Sequence, residues 1–357
     1  LSKEMKNRLS RHQDFWAGKE LRRPPVVFRI GDYFWSRRFK AADHLLKKGK
    51  EIAPELLNVE AFLEDYERMY QEICLLDQDG FWVAEPFTGI PWMEAMWGCK
   101  VYAGESSFIS EPWAKKLDDT EKIGFDPENK WFQKYIEFVK ALESLSQGRF
   151  PVGQPIMRGP SDVAGAVLGQ TELVFAMAEE REKTEGFLSR ITDFFLRVID
   201  EQYKIVSSFH GGYSIGFYHL WAPGKTVWYQ EDLSALLSPR FYQEFLQEQN
   251  TKICRAYDYS MIHLHPASFF ILDDLLQIPE LKVVQINKDV GGPSVREMLP
   301  HFRQVLSGKK LMIWGDLNRE DLEVITSELP ANGVFLNIVA PTIEEAMDLR
   351  ELLETLS

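Results

Sequence analysis

A chain of 357 residues with 45% hydrophobic content can bury a sizeable core, as one large α/β domain or two smaller ones. Its formal charge of −13 argues against nucleic acid or an anionic membrane as a partner, since both reward clustered Lys and Arg. Cys74, Cys99 and Cys254 are odd in number and far apart, which excludes a disulfide framework or a CxxC metal site and points to a reducing cytoplasm.

The stretch 1–23 reads as a charged helix with Met5, Leu9, Phe15 and Trp16 on one face, stopped by Pro24-Pro25. It lacks the pattern of a secretory signal, and no apolar run reaches the roughly 18 residues of a membrane span. A first strand is expected over 25–30. Apolar residues at helical spacing follow from Pro54 to Leu76, and a second strand over 80–86 carries Glu85 at its end. The section 87–150 is rich in Gly, Pro and Trp, holds one helix near 131–145, and reads as an insertion within one domain. Its aromatic residues would support a homodimer.

Further strands are expected over 155–159, 213–219, 261–265, 283–288, 311–317 and 334–339, with an additional extended stretch over 226–232. Helices fill 171–208 and 239–257 and begin near Ala267, Pro293, Arg319 and Thr342. Eight strands, most of them apolar on both faces and each followed by a helix, predict a single (β/α)8 TIM barrel over 1–357, with an N-terminal helical extension. The alternative is an open doubly wound sheet. No GxGxxG follows the first strand and no Walker A sequence occurs, so the nucleotide-binding signals of that fold are absent.

In such a barrel chemistry sits at the carboxyl ends of the strands, which makes the polar residues there the candidates. His263 and His265 lie two apart on one strand and so share a face. They are expected to ligate a metal or move protons, or else to bond barrel carbonyls. A third ligand would come from a neighbouring strand, with Glu85 or Asp316 as the available carboxylates. Asp316 follows Trp314-Gly315 and would otherwise cap the next helix. Arg29 and Arg158 would grip a carboxylate, or pair with Asp32 and Asp162. His219, Asn287, Lys288 and Asn337 complete the set of strand-end groups, and Asp32, His219, Asn287 and Asn337 join the two arginines as substrate-binding candidates. Ten Trp and 24 Phe furnish an aromatic core or rings around a ligand.

Four segments resemble the uroporphyrinogen decarboxylase superfamily, which includes that decarboxylase and methyltransferases acting on corrinoids or coenzyme M. Pro25-Val26-Val27-Phe28-Arg29 is similar to the first strand of that family and Arg158-Gly159-Pro160-Ser161-Asp162 to its glycine-proline turn. The run Leu237 to Phe245 resembles its "ISPEMFREF" helix start, and Ile313-Trp314-Gly315-Asp316-Leu317 its "GNLDP" turn. The resemblance implies the same barrel.

The departures bear on the reaction. Of the decarboxylases' Arg-Gln-Ala-Gly-Arg-Tyr run only Arg29, Gly31 and Tyr33 stand in related places, and Glu85 replaces the pyrrole-binding aspartate. The zinc methyltransferases' His-x-Cys is here His263-Leu264-His265, and no cysteine follows the eighth strand. A thiolate-rich zinc site is therefore excluded, while zinc on His263, His265 and Glu85 is not. The expected activity is methyl transfer from a small methylated compound to a corrinoid on a partner protein, with His263, His265, Glu85 and Asp316 as the catalytic groups. The alternatives are decarboxylation of uroporphyrinogen or another pyrrolic acid, which needs no cofactor in that family, and a barrel that binds an aromatic ligand without turning it over.

Overall fold

The computed structural model describes residues 2–356. Eleven strands form among them: β1 (Val26–Ile30), β2 (Glu51–Ile52), β3 (Lys100–Ala103), β4 (Phe108–Glu111), β5 (Tyr213–Ile215), β6 (Leu220–Ala222), β7 (Thr226–Gln230), β8 (Tyr259–Leu264), β9 (Leu281–Asn287), β10 (Lys310–Gly315) and β11 (Val334–Ala340). Six of them make one all-parallel sheet in the order β1-β11-β10-β9-β8-β7. Side chains alternate across this sheet with the period of two that a strand imposes. One set, including Val26, Phe28, Ile262, Val284, Ile313 and Leu336, packs outward against the helices. The other set faces inward, apolar at Val27, Trp228, Met261, Val283, Met312 and Phe335. Further along the same faces it turns polar, at Gln230, His263, Gln285 and Asn337.

Eight regular barrel strands were expected; the sheet has six and is not closed by regular ladders. The second and third expected strands, 80–86 and 155–159, are extended segments held by single bridges, Ala84 to Val152 and Arg158 to Gln230. Pro86, Pro151, Pro155 and Pro160 have no N–H to give a ladder. Side chains take over part of its work: Val26 N donates to Asp79 Oδ2 (2.9 Å), Phe28 N to Gln78 Oε1 (2.8 Å) and Trp228 N to Gln154 Oε1 (3.3 Å).

The fourth expected strand, 213–219, is also different. Its first half is β5, which turns back antiparallel onto β6, and the parallel strand at this place in the sheet is β7. The hairpin inserts into the space the sheet encloses, where Ile215, Phe217, Tyr218 and Leu220 join the inward cluster. Asn337 Nδ2 holds its turn through Tyr218 O (2.8 Å). A close backbone approach makes room: a Cβ on Gly216 would lie 2.2 Å from Gln154 O, and one on Gly153 would lie 2.5 Å from Gly216 Cα. The helix Lys3–Ala17, shorter than expected because Gly18 ends it in a left-handed conformation, covers the amino ends of the strands through Phe15 on Phe335 and Trp16 on Tyr259.

Within 87–150, β3 and β4 form an antiparallel sheet with β2, and a helix runs over Lys130–Ser146. The long helical region after 170 is split into Gln170–Glu179 and Arg181–Tyr203. No helix among the described residues is long and apolar enough to cross a membrane.

Candidate active site

At the carboxyl ends of β7, β8 and β9 the register sets Gln230 beside His263 and His263 beside Gln285. His263 and His265 point to the same side, with ring centroids 4.6 Å apart and planes at 88°. Asp232, two residues beyond β7, brings Oδ1 to 3.7 Å from His263 Nε2 and 3.9 Å from His265 Nε2. One ligand atom from each of these three side chains lies within 4.8 Å of the others, and among the described residues they form the one such group of His, Cys, Asp and Glu. Two imidazoles and a carboxylate are a donor set that catalytic zinc sites use, so these residues fit that ion.

The far sides of the rings are held. His265 Nδ1 meets Asp289 Oδ1 and Oδ2 at 2.7 and 2.9 Å. His263 Nδ1 contacts Gln285 Oε1, and Tyr218 Oη from the inserted hairpin at 2.8 Å. Gln285 Nε2 donates to Asn287 Oδ1 (3.0 Å), and Asn287 Nδ2 to Asp289 Oδ1 (3.3 Å). Burial pulls the pKa of His263 down against the raising effect of the Asp232 charge. For His265 burial acts in the same sense, but the Asp289 hydrogen bond and the Asp232 and Asp289 charges outweigh it and leave the pKa raised.

A cleft of about 570 Å³, within the range of small-molecule sites, runs from Asp232 between β4 and the turn 232–236. Arg158, Asp162 and Asp232 are its charged lining. Arg158 is already paired with buried Glu94 at 2.6 Å. Asp162 Oδ1 accepts from Leu233 N (2.7 Å), while its Oδ2 is buried without a partner. Burial and the charges of Asp232 and Glu231 push the Asp162 carboxyl well up. Arg158 also borders a neighbouring pocket walled by Tyr33, Phe34, Trp35 and Phe108.

The other expected site residues lie elsewhere. Glu85 does not join the imidazoles. It lines a pocket along the irregular seam beside β1, with Arg29, Thr88 and His219. Burial raises its pKa to about 7 against the opposing Arg29 charge. Arg29 sits between the Trp35 and Phe217 rings and donates to Phe217 O. His219 is in the hairpin turn at φ 55, not at a strand end, and its Nδ1 is buried without a partner. Asp316 projects outward, with Lys288 Nζ at 3.5 Å, and the helix it was expected to cap is capped by Asn318 instead. Asp32 caps Phe34 N and pairs with Arg37 at the surface. Asn337 holds the hairpin, while Asn287 lies behind the imidazoles.

Sequence reasoning missed Asp232, Asp289, Gln285 and Tyr218. The first three follow or sit on strands next to His263, so correct strand neighbours would have found them; nothing in the sequence pattern places Tyr218 against His263.

No protein-family model and no curated protein matches the chain. Among solved structures it is similar to a methyltransferase from Methanosarcina mazei, with a TM-score of 0.65 and 14% identity over 98% of both chains. A likeness at that identity carries the fold.

Proposed function

We propose that this chain is a methyltransferase that takes a methyl group from a small methylated substrate and passes it to a corrinoid on a partner protein, with zinc held by His263, His265 and Asp232. The observation that carries the reading is the convergence of two imidazole Nε2 atoms on one carboxylate oxygen at 3.7 and 3.9 Å, beside an open cleft. When bound, zinc supplies Lewis acidity that stabilises the substrate heteroatom as the methyl leaves. Asp289 and Gln285 hold the rings from behind, so the ligating atoms are positioned before substrate arrives. In the overall exchange the carbon–heteroatom bond breaks with its electron pair left on the heteroatom, and a carbon–cobalt bond forms on the reduced corrinoid.

The aromatic walls around Arg158 suit the body of a small, weakly polar substrate. An octacarboxylate such as uroporphyrinogen would want a cationic cleft. Here the one cation of the lining is neutralised by Glu94, and two further lining residues are acids, which weighs against the decarboxylase reading.

Elemental analysis of purified protein, joined to a methyl-transfer assay against free cob(I)alamin with methyl ethers, thioethers and methylamines, tests the proposal. The expected result is one zinc per chain, lost in His265→Ala together with transfer. Metal-free protein that takes up no added zinc, or transfer that survives His265→Ala, would overturn it.

A further inference from the structure

The polar side chains of β9 and the turn after it form a hydrogen-bonded chain whose direction is set at one end. A carboxylate offers acceptors only, so both groups that meet Asp289 must donate to it. Asn287 therefore turns its NH2 to Asp289 and its Oδ1 to Gln285, at 3.0 Å from Gln285 Nε2. This orientation leaves Gln285 Oε1 facing His263 Nδ1, and an acceptor facing that nitrogen requires a hydrogen on it. Flipping either amide only moves the clash one link along until it reaches Asp289, where no flip can relieve it. Tyr218 Oη, 2.8 Å from the same nitrogen, can then only accept from it.

We propose that Gln285, Asn287 and Asp289 are positioning residues that lock His263 and His265 together in the Nδ1–H tautomer, so that both Nε2 lone pairs face Asp232. One hydrogen-bonded chain sets two rings, and a break at Asn287 frees one ring and spares the other: His265 keeps its own bond to Asp289 while His263 loses the link that orients Gln285. The inference rests on the reading of the Nε2 atoms as ligating atoms, but its first readout involves no metal.

Histidine-selective 15N labelling of the full chain, stripped of metal at pH 8, reports which ring nitrogen of each histidine carries the hydrogen, with assignment by single His→Gln variants. The expected result is the Nδ1–H form for both His263 and His265. In Asn287→Leu the His263 signal departs from that form, His265 retains it, and the zinc dissociation constant rises about 10- to 100-fold. Should Asn287→Leu fail to fold, Gln285→Met breaks the same chain one link nearer His263, with the same outcome expected. An Nε2–H form at His263 in the unaltered protein overturns the proposal even if zinc binds. So does a His263 signal unmoved in a folded variant. The expected tautomers in a protein that binds no zinc would support this inference and sink the metal site instead.

Discussion

The molecule has two polar regions built on opposite terms. On β7, β8 and β9, neighbouring strands in regular register set Gln230, His263 and Gln285 side by side, and the side chains behind the imidazoles find partners in one continuous chain. Along the seam between β1 and the segment that leads to Glu85, the side chains of Gln78 and Asp79 stand in for a ladder, and Glu85 Oε2 and His219 Nδ1 are buried without partners. Regular pairing fixes where side chains stand and lets them satisfy one another, whereas the seam leaves some of its buried polar atoms unpaired, at a cost in stability. The first region is therefore the one prepared for chemistry that needs fixed atoms.

The largest effect expected from this contrast is on transfer. Asp232→Ala removes the carboxylate shared by both Nε2 atoms and should lower methyl transfer by about 100-fold or more, while Glu85→Ala should leave it within a few-fold once folding is corrected for. The rate ratio of the two variants in one assay checks this. Equal losses would place Glu85 in the same machinery despite its separate pocket.

Next in size is the hairpin that links the two regions, since Tyr218 reaches His263 while His219 faces the seam. Gly216→Ala would push a methyl against Gln154 O at 2.2 Å, and neither backbone can yield cheaply. A loss of about 2–3 kcal/mol is expected in urea unfolding. A loss below about 0.5 kcal/mol would mean that the hairpin is not clamped there.

Much of the parallel sheet was legible. β1, β8, β9, β10 and β11 run within two residues of their expected spans, because apolar runs of this length bounded by turn residues have few other uses. The seam was not, since 80–86 and 155–159 are as apolar as true strands. What denies them ladders is proline at their ends and the side chains of Gln78, Asp79 and Gln154 on the strand edges, which no periodicity records. The stretch 213–219 competed with 226–232 for one place in the sheet; the glycine contact between 153 and 216 that admits the hairpin is a long-range fact. At the site the shared face of His263 and His265 followed from their spacing alone. Their carboxylate did not, because Asp232 depends on which strand is the neighbour of β8, and Glu85 was put forward from a seam that turned out to lie elsewhere.

The seam can be probed through its buried acid. Glu85 titrates at about 7 when folded, raised by burial, and near the ordinary 4.5 when unfolded. Below 4.5 the carboxyl is protonated in both states. Between the two values only the unfolded chain ionises, so folding stability falls as pH rises through this window and levels off above it. Glu85→Gln removes that loss. The stability of the variant relative to the unaltered chain should therefore grow between pH 5 and pH 8, by about 1–3 kcal/mol. Urea midpoints at the two pH values check the sign, and a gap that does not change with pH would mean that Glu85 is ionised and satisfied in the folded protein.

The smallest effect is expected at Asp32, which the sequence offered as a substrate contact. Its side chain is more than half exposed; Oδ1 accepts from Phe34 N at 2.8 Å, and Oδ2 pairs with a similarly exposed Arg37 at 3.1 Å. Asparagine keeps an oxygen for the turn and loses only a surface ion pair, which is worth at most about 0.5 kcal/mol in water of ordinary ionic strength. Asp32→Asn should accordingly leave KM for the methyl donor unchanged and shift the urea midpoint barely at all. A several-fold rise in KM would show instead that the substrate reaches past the aromatic wall of Tyr33 and Phe34, and would draw the seam and the imidazole site into one continuous cavity.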